Sequence, residues 1–191
     1  MSPQSVYRSA GDLLRFLTKR MAVDGGGREF VQHIPRLRRY ARALTGDRAR
    51  ADDLVQDTLE RALIKFHLWR PGTDLRAWLF AIMHNVFINQ LRSQPAGVSA
   101  GLDDDAIPMA VRPTQSDWLE VRDLQAAVLR LPEEQREVLL LVALEQMTYE
   151  ETSGVLGIPM GTVMSRLSRA RERLRALLAD GAGHAALKVV K

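Results

Sequence analysis

Cysteine is absent from all 191 residues. Disulfides and cysteine-ligated zinc or iron–sulfur sites are thereby excluded, and nothing argues against a reducing compartment. No apolar run approaches the roughly 20 residues of a membrane span, and no signal-peptide core follows the N-terminus. No segment alternates apolar and polar residues as a strand does, and there is no glycine-rich phosphate loop. The four histidines, His33, His67, His84 and His184, are scattered without paired metal-ligand spacing, so each reads as a surface or packing residue. These gaps argue against an enzyme: no catalytic residue, metal or cofactor is expected. They leave a soluble, cytoplasmic, all-helical protein that does not insert into membranes.

What is present is helical periodicity in two blocks, roughly 28–93 and 119–179. Residues 94–118 lie between them, rich in Pro, Gly, Ala, Ser and Asp. Pro95, Pro108 and Pro113 oppose a continuous helix there, and Asp103-Asp104-Asp105 makes this flexible linker acidic. Residues 1–27 read as an N-terminal extension open to disorder, with a short amphipathic stretch Leu13–Leu17 ahead of Gly25-Gly26-Gly27. Residues 180–191 read as a frayed tail. The fold class expected is therefore all-α: two small helical domains on a flexible linker, the second a helix-turn-helix.

The second block carries the sharper signals. Leu131-Pro132-Glu133-Glu134-Gln135-Arg136 starts one helix, with proline suited to a first turn where its missing N–H costs nothing. Thr148-Tyr149-Glu150-Glu151 has the form of a capping box, and Gly157-Ile158-Pro159 stops the short helix it opens. A long helix follows from about Gly161-Thr162, with Val163, Leu167, Ala170, Leu174 and Leu177 as its dry stripe. Arg166, Arg169, Arg171, Arg173 and Arg175 lie off that stripe, among Ser165 and Ser168. An arginine-rich amphipathic helix alone is most often a solvated face. Behind a capped short helix and a glycine turn, it matches helix-turn-helix geometry, whose donors suit phosphates and base edges of the major groove. The net charge of +4 permits nucleic-acid binding without requiring it.

In the first block Phe30, Ile34, Leu37, Ala41 and Leu44 mark one helical face, with Pro35 as a start or kink. Gly46-Asp47 closes that helix and caps the next, from Arg48 to about Trp69, whose inward residues are Ala51, Leu54, Val55, Thr58, Ala62 and Phe66. Its outer face carries Asp52, Asp53, Gln56, Asp57 and Glu60. On composition alone this is an ordinary solvated face or a dock for a basic helix. After the turn Trp69–Asp74, where Thr73 or Asp74 can cap, a helix runs from Leu75 to about Arg92, with Leu75, Leu79, Ile82 and Val86 inward and Trp78 alongside. Asn85 and Asn89 share a face near His84, Arg76 and Arg92. Their amides suit the edge of an unpaired base, although plain solvation accounts for them equally well.

Taken in order, three motifs resemble the extracytoplasmic-function (group 4) sigma factors of bacterial RNA polymerase, over about residues 28–179. They are Asp52-Asp53-Leu54-Val55-Gln56-Asp57-Thr58, then Gly72-Thr73-Asp74-Leu75-Arg76-Ala77-Trp78-Leu79 with Ile82 and Asn85, then Leu131-Pro132 through Arg169-Ala170-Arg171. The resemblance implies docking of Asp52, Asp53, Gln56, Asp57 and Glu60 on the β′ clamp helices of core RNA polymerase, with the β flap as a second polymerase contact. It implies capture of a flipped base of the −10 promoter element by Trp69, Arg70, Thr73, Asp74, Arg76, Trp78, His84, Asn85 and Asn89. It further implies reading of the −35 element by Thr162, Met164, Ser165, Arg166, Ser168, Arg169 and Arg173, and regulation by an anti-sigma factor. The chain departs from the family at His84, often a small or basic residue, and at Met164, frequently Arg. A stand-alone helix-turn-helix regulator is the alternative, but it leaves the acidic helix and the asparagine pair without a role.

Overall fold

A computed structural model describes residues 27–70, 72–93 and 115–185, with side chains over 30–70, 72–93 and 121–179. Residues 1–26, most of the expected linker and the end of the tail lie outside the described residues. Among those described there are seven α-helices and no strand.

Helix α1 spans Gly27–Thr45. Phe30, Ile34, Leu37, Ala41 and Leu44 are all buried, as their spacing requires. Pro35 lies inside the helix on an exposed position, so it is not a start. Gly46, at φ +72, ends α1 in the left-handed conformation that favours glycine. The Asp47 carboxylate then accepts from the Arg50 amide at 2.6 Å and caps α2, Arg48–Ile64. This helix stops five residues short of the expected Trp69, and a single 3-10 turn, Phe66–Leu68, makes the corner. The Asp74 carboxylate accepts from the amides of Arg76 and Ala77 at 2.8 and 3.3 Å. It thereby starts α3, Leu75–Ser93.

The second block comprises α4 (Gln115–Leu129), α5 (Glu133–Ala143), α6 (Tyr149–Leu156) and α7 (Met160–Ala185). Helix α4 takes in residues 115–118, which sequence reading gave to the linker, and α7 continues past residue 180 into the expected tail. The Thr148 capping box is formed from both sides: its hydroxyl accepts from the Glu151 amide at 3.1 Å, and its own amide donates to the Glu151 carboxylate at 2.7 Å. Gly157, at φ +64, ends α6. The Ser153 hydroxyl donates to the Ile158 carbonyl at 2.6 Å and braces the turn into α7.

The two blocks share one core that runs from Phe30 to Ala170. Helix α1 packs on α4 and α5, and α3 packs on α6. That contact explains why α3 is apolar on more than one side. Phe80, Met83 and Phe87 are buried along with the expected Leu75, Leu79, Ile82 and Val86, because a helix packed on two sides needs an apolar stripe on each. At the seam a Cβ on Gly46 would lie 2.6 Å from the Leu129 side chain, so the close approach itself requires glycine. Arg136 is the chief polar tie. Its guanidinium donates to the carbonyls of Leu44 and Leu129 at 2.7 Å each, and to that of Leu131 at 2.9 Å. Burial pulls its pKa below the ordinary arginine value; Glu133 opposes the shift and Arg50 adds to it. Replacing Arg136 by Met should lower the unfolding free energy by about 2–4 kcal/mol, because three carbonyls lose a charged donor. Urea denaturation measures this, and an unchanged midpoint would contradict the bridging role.

Candidate functional site

Three surfaces carry the residues singled out from sequence. On α2, Asp53 is exposed, while Asp52, Gln56, Asp57 and Glu60 are half-buried along the same helix. The Gln90 amide of α3 donates to Asp57 at 3.0 Å and holds that carboxylate in place. Asp53 is the most exposed residue of this acidic face.

The second surface is the corner between α2 and α3. The Trp69 ring stacks on Phe66, with centroids 5.5 Å apart and planes at 13°. Phe30 meets Phe66 and Trp78 edge-on at 5.2 and 6.3 Å. The corner is therefore an aromatic platform built from α1, the 3-10 turn and α3. The indole N–H of Trp69 is buried without a hydrogen-bond partner. Arg70, Thr73 and Asp74 are exposed, and the Thr73 hydroxyl donates to the Arg70 carbonyl at 2.8 Å, stiffening the turn. Farther along α3, Asn85 and Asn89 are exposed, with the Asn85 amide donating to the Ala81 carbonyl at 2.8 Å.

Arg76 and His84 do not join this surface; both are bonded to the second block. Arg76 Nη1 donates to the Glu145 carbonyl at 3.0 Å, and Nη2 lies 3.4 Å from the Glu151 carboxylate. His84 Nδ1 lies 2.7 Å from Glu137 Oε1. Nearby, Arg39 Nη2 meets Glu145 Oε1 at 2.9 Å and the Leu144 carbonyl at 3.2 Å. The Glu145 side chain has no exposed surface. Burial raises its pKa, opposed by its bond to Arg39 and by the charges of Arg39, Arg36 and Arg76. Tyr40 is also buried beside these groups, edge-on to Phe80 at 5.1 Å. Its phenol is pushed well above the usual value by burial, then by Glu137 and Glu145. Sequence reading missed Arg39, Glu137 and Glu145. The available signal was the placing of Glu137 beside the apolar run Val138–Leu141, a charge where a helix expects a core residue.

The third surface is the first half of α7. Met164, Ser168, Arg169 and Arg173 are exposed, while Thr162, Ser165 and Arg166 are half-buried. Ser165 donates its hydroxyl to the Thr162 carbonyl at 3.1 Å, and Arg166 pairs with Glu134 at 2.6 Å. The helix thus presents arginine and serine donors around one apolar side chain, 45% exposed, at Met164. Among the described residues no group of acidic or histidine side chains is arranged to hold a metal ion, and no helix is long and apolar enough to cross a membrane.

An acidic helix face, an aromatic corner and a helix-turn-helix follow one another in this order along the chain. Residues 30–84 match the family model of the sigma2 domain of PhyR, and residues 122–174 match that of sigma-70 region 4. The chain is 41% identical over 155 residues to the ECF RNA polymerase sigma factor EcfG of Rhodopseudomonas palustris, covering 81% of this chain and 86% of that protein. It is similar to the sigma factor RpoE from Bartonella quintana, solved in complex with the anti-sigma factor NepR. The TM-score there is 0.66 at 34% identity, covering 80% of this chain and 95% of that one. It is also similar to CnrH in complex with the cytosolic domain of CnrY, with TM-score 0.62 at 27% identity, over 87% of this chain and 97% of that one. The chain belongs to the ECF RNA polymerase sigma factors. Its function is promoter-specific initiation of transcription.

Proposed function

We propose a division of that function among the three surfaces. The acidic face of α2, centred on Asp53 with Asp52, Gln56, Asp57 and Glu60, docks on the β′ clamp helices of core RNA polymerase. Fixed carboxylates steer and orient such a partner. The corner around Trp69, Arg70, Thr73 and Asp74, with Trp78, Asn85 and Asn89, holds an unpaired base of the −10 element. Flipping a base costs on the order of a few kcal/mol, and the stacked Phe66–Trp69 platform offers an aromatic face to offset it. On α7, Arg166, Arg169 and Arg173 with Thr162, Ser165 and Ser168 enter the −35 major groove. Met164 there suits the methyl group of a thymine, since apolar side chains contact that methyl directly. The observation that carries this reading is exposure: Asp53, Ser168, Arg169 and Arg173 all face solvent on helices.

The site of action is the cytoplasm, where the polymerase works, and the regulator expected is an anti-sigma factor, the kind of partner that RpoE and CnrH hold in their solved complexes. A sigma-mimicking role has one observation behind it, the match of residues 30–84 to a PhyR domain. Binding to core polymerase separates the two roles. Purified protein mixed with core polymerase should co-elute on size exclusion and give discrete run-off transcripts from genomic fragments. An absence of complex would favour the mimic or a stand-alone regulator.

Changing Arg166 and Arg169 to Ala should weaken −35 duplex binding by at least roughly tenfold, at about 1–3 kcal/mol per base-reading arginine, with core binding intact. Loss of core binding would refute the assignment. Asp53→Arg combined with Asp57→Arg should have the reverse effect, and full retention of core binding would end the docking role. Asn85→Ala should slow open-complex formation while sparing core binding; normal promoter opening would return that asparagine to simple solvation.

A further inference from the structure

Arg166 stands apart from the other arginines on the first half of α7. Arg169, Arg171 and Arg173 are exposed. Arg166 keeps only 24% of its side chain exposed, and its Nη2 is tied to Glu134 Oε2 at 2.6 Å. Glu134 comes from a different helix, in the acidic first turn of α5, which packs on α7. Its own side chain is 69% exposed, so burial of the carboxylate does not account for the pair. A guanidinium carries five N–H donors, and the bond to Glu134 uses one of them. The rest of the fork stays free for a partner.

We infer that Glu134 is a positioning residue for promoter reading: its carboxylate holds the Arg166 fork toward a base edge and keeps it off the DNA phosphates. The inference deepens the −35 reading made above and rests on it. Two properties of the pair carry it. A long side chain gives up rotamer freedom when binding immobilises it, and Glu134 has already immobilised this one. The carboxylate also cancels the charge of Arg166 locally. A phosphate attracts positive charge without regard to sequence, and beside Glu134 it meets a neutral pair. A guanine edge asks instead for two directed donors, on O6 and N7, and the pair still offers them. Glu134 thus exchanges sequence-independent grip for discrimination at one base pair.

The test titrates holoenzyme, assembled on core polymerase, with the −35 duplex of a promoter mapped by run-off transcription. The same duplex substituted one base pair at a time gives the discrimination at each position. Arg166→Ala should erase discrimination at the pair that this arginine reads. Glu134→Ala should lower discrimination at that same pair roughly tenfold and leave the other positions as in the wild type. It should also steepen the fall of log K with log salt by about 0.9, the signature of one added phosphate contact. Loss of a merely structural surface ion pair would move neither readout. Adding Glu134→Ala to Arg166→Ala should cause no further loss at that pair, because Glu134 acts only through the arginine. Glu134→Asp keeps the carboxylate and should keep both the discrimination and the salt slope. All variants should co-elute with core polymerase, since neither side chain belongs to the core. Losses spread evenly over all positions, additive losses in the double variant, or discrimination and slope unchanged in Glu134→Ala each overturn the inference. So does a Glu134→Asp variant as impaired as Glu134→Ala. Wild-type discrimination at every position in Arg166→Ala would instead discard the −35 assignment of that arginine, and the inference with it.

Discussion

The guanidinium of Arg136 sits where three helix ends converge, and the arrangement of the whole chain turns on it. The last carbonyls of a helix have no partner within it, and bringing the C-termini of α1 and α4 together buries several at once. Arg136 answers those of Leu44, Leu129 and Leu131 with one planar group. Its positive charge also lies at the negative ends of two helix dipoles. An arginine in this place removes the desolvation cost that would otherwise keep the blocks apart. Gly46, beside it, lets Leu129 come within the distance of a missing Cβ.

With the ends secured, α3 becomes the shared wall. Its Leu79, Phe80, Met83 and Val86 are essentially without exposed surface. One side faces α2 and another faces α6. Of the polar groups along this wall, Arg76 and His84 reach acceptors of the second block, and Arg76 also lies 3.8 Å from Asp74 of its own block. The seam thus combines an apolar interior with a charged margin, as transient domain contacts do.

Local chemistry made much of this fold legible in the sequence. The Asp47 and Asp74 caps, the Thr148–Glu151 box and the turns at Gly46 and Gly157 all depend on residues within a few positions of one another. The exposed serines and arginines of α7 were legible for the same reason. The shared core was not, because a periodicity search finds one apolar face per helix. The second face of α3 belongs to a partner remote in the chain. The acidic margin was hidden by distance as well: Glu137 meets His84 across 53 positions, and Glu145 meets Arg39 across 106. No local pattern announces such pairs. The end of α2 was misplaced because Phe66 and Trp69 keep the apolar spacing of a helix, while the backbone has already turned at Lys65.

The covalent connection through residues 94–114 gives this seam a property that no single contact in it possesses. Two surfaces joined by a short stretch of chain meet at an effective concentration on the order of millimolar. An encounter too weak to register between separate proteins then suffices to hold the two blocks together. Proteolytic cutting between the blocks would abolish that advantage at a stroke, leaving the seam to form only at the concentrations at which two separate chains meet.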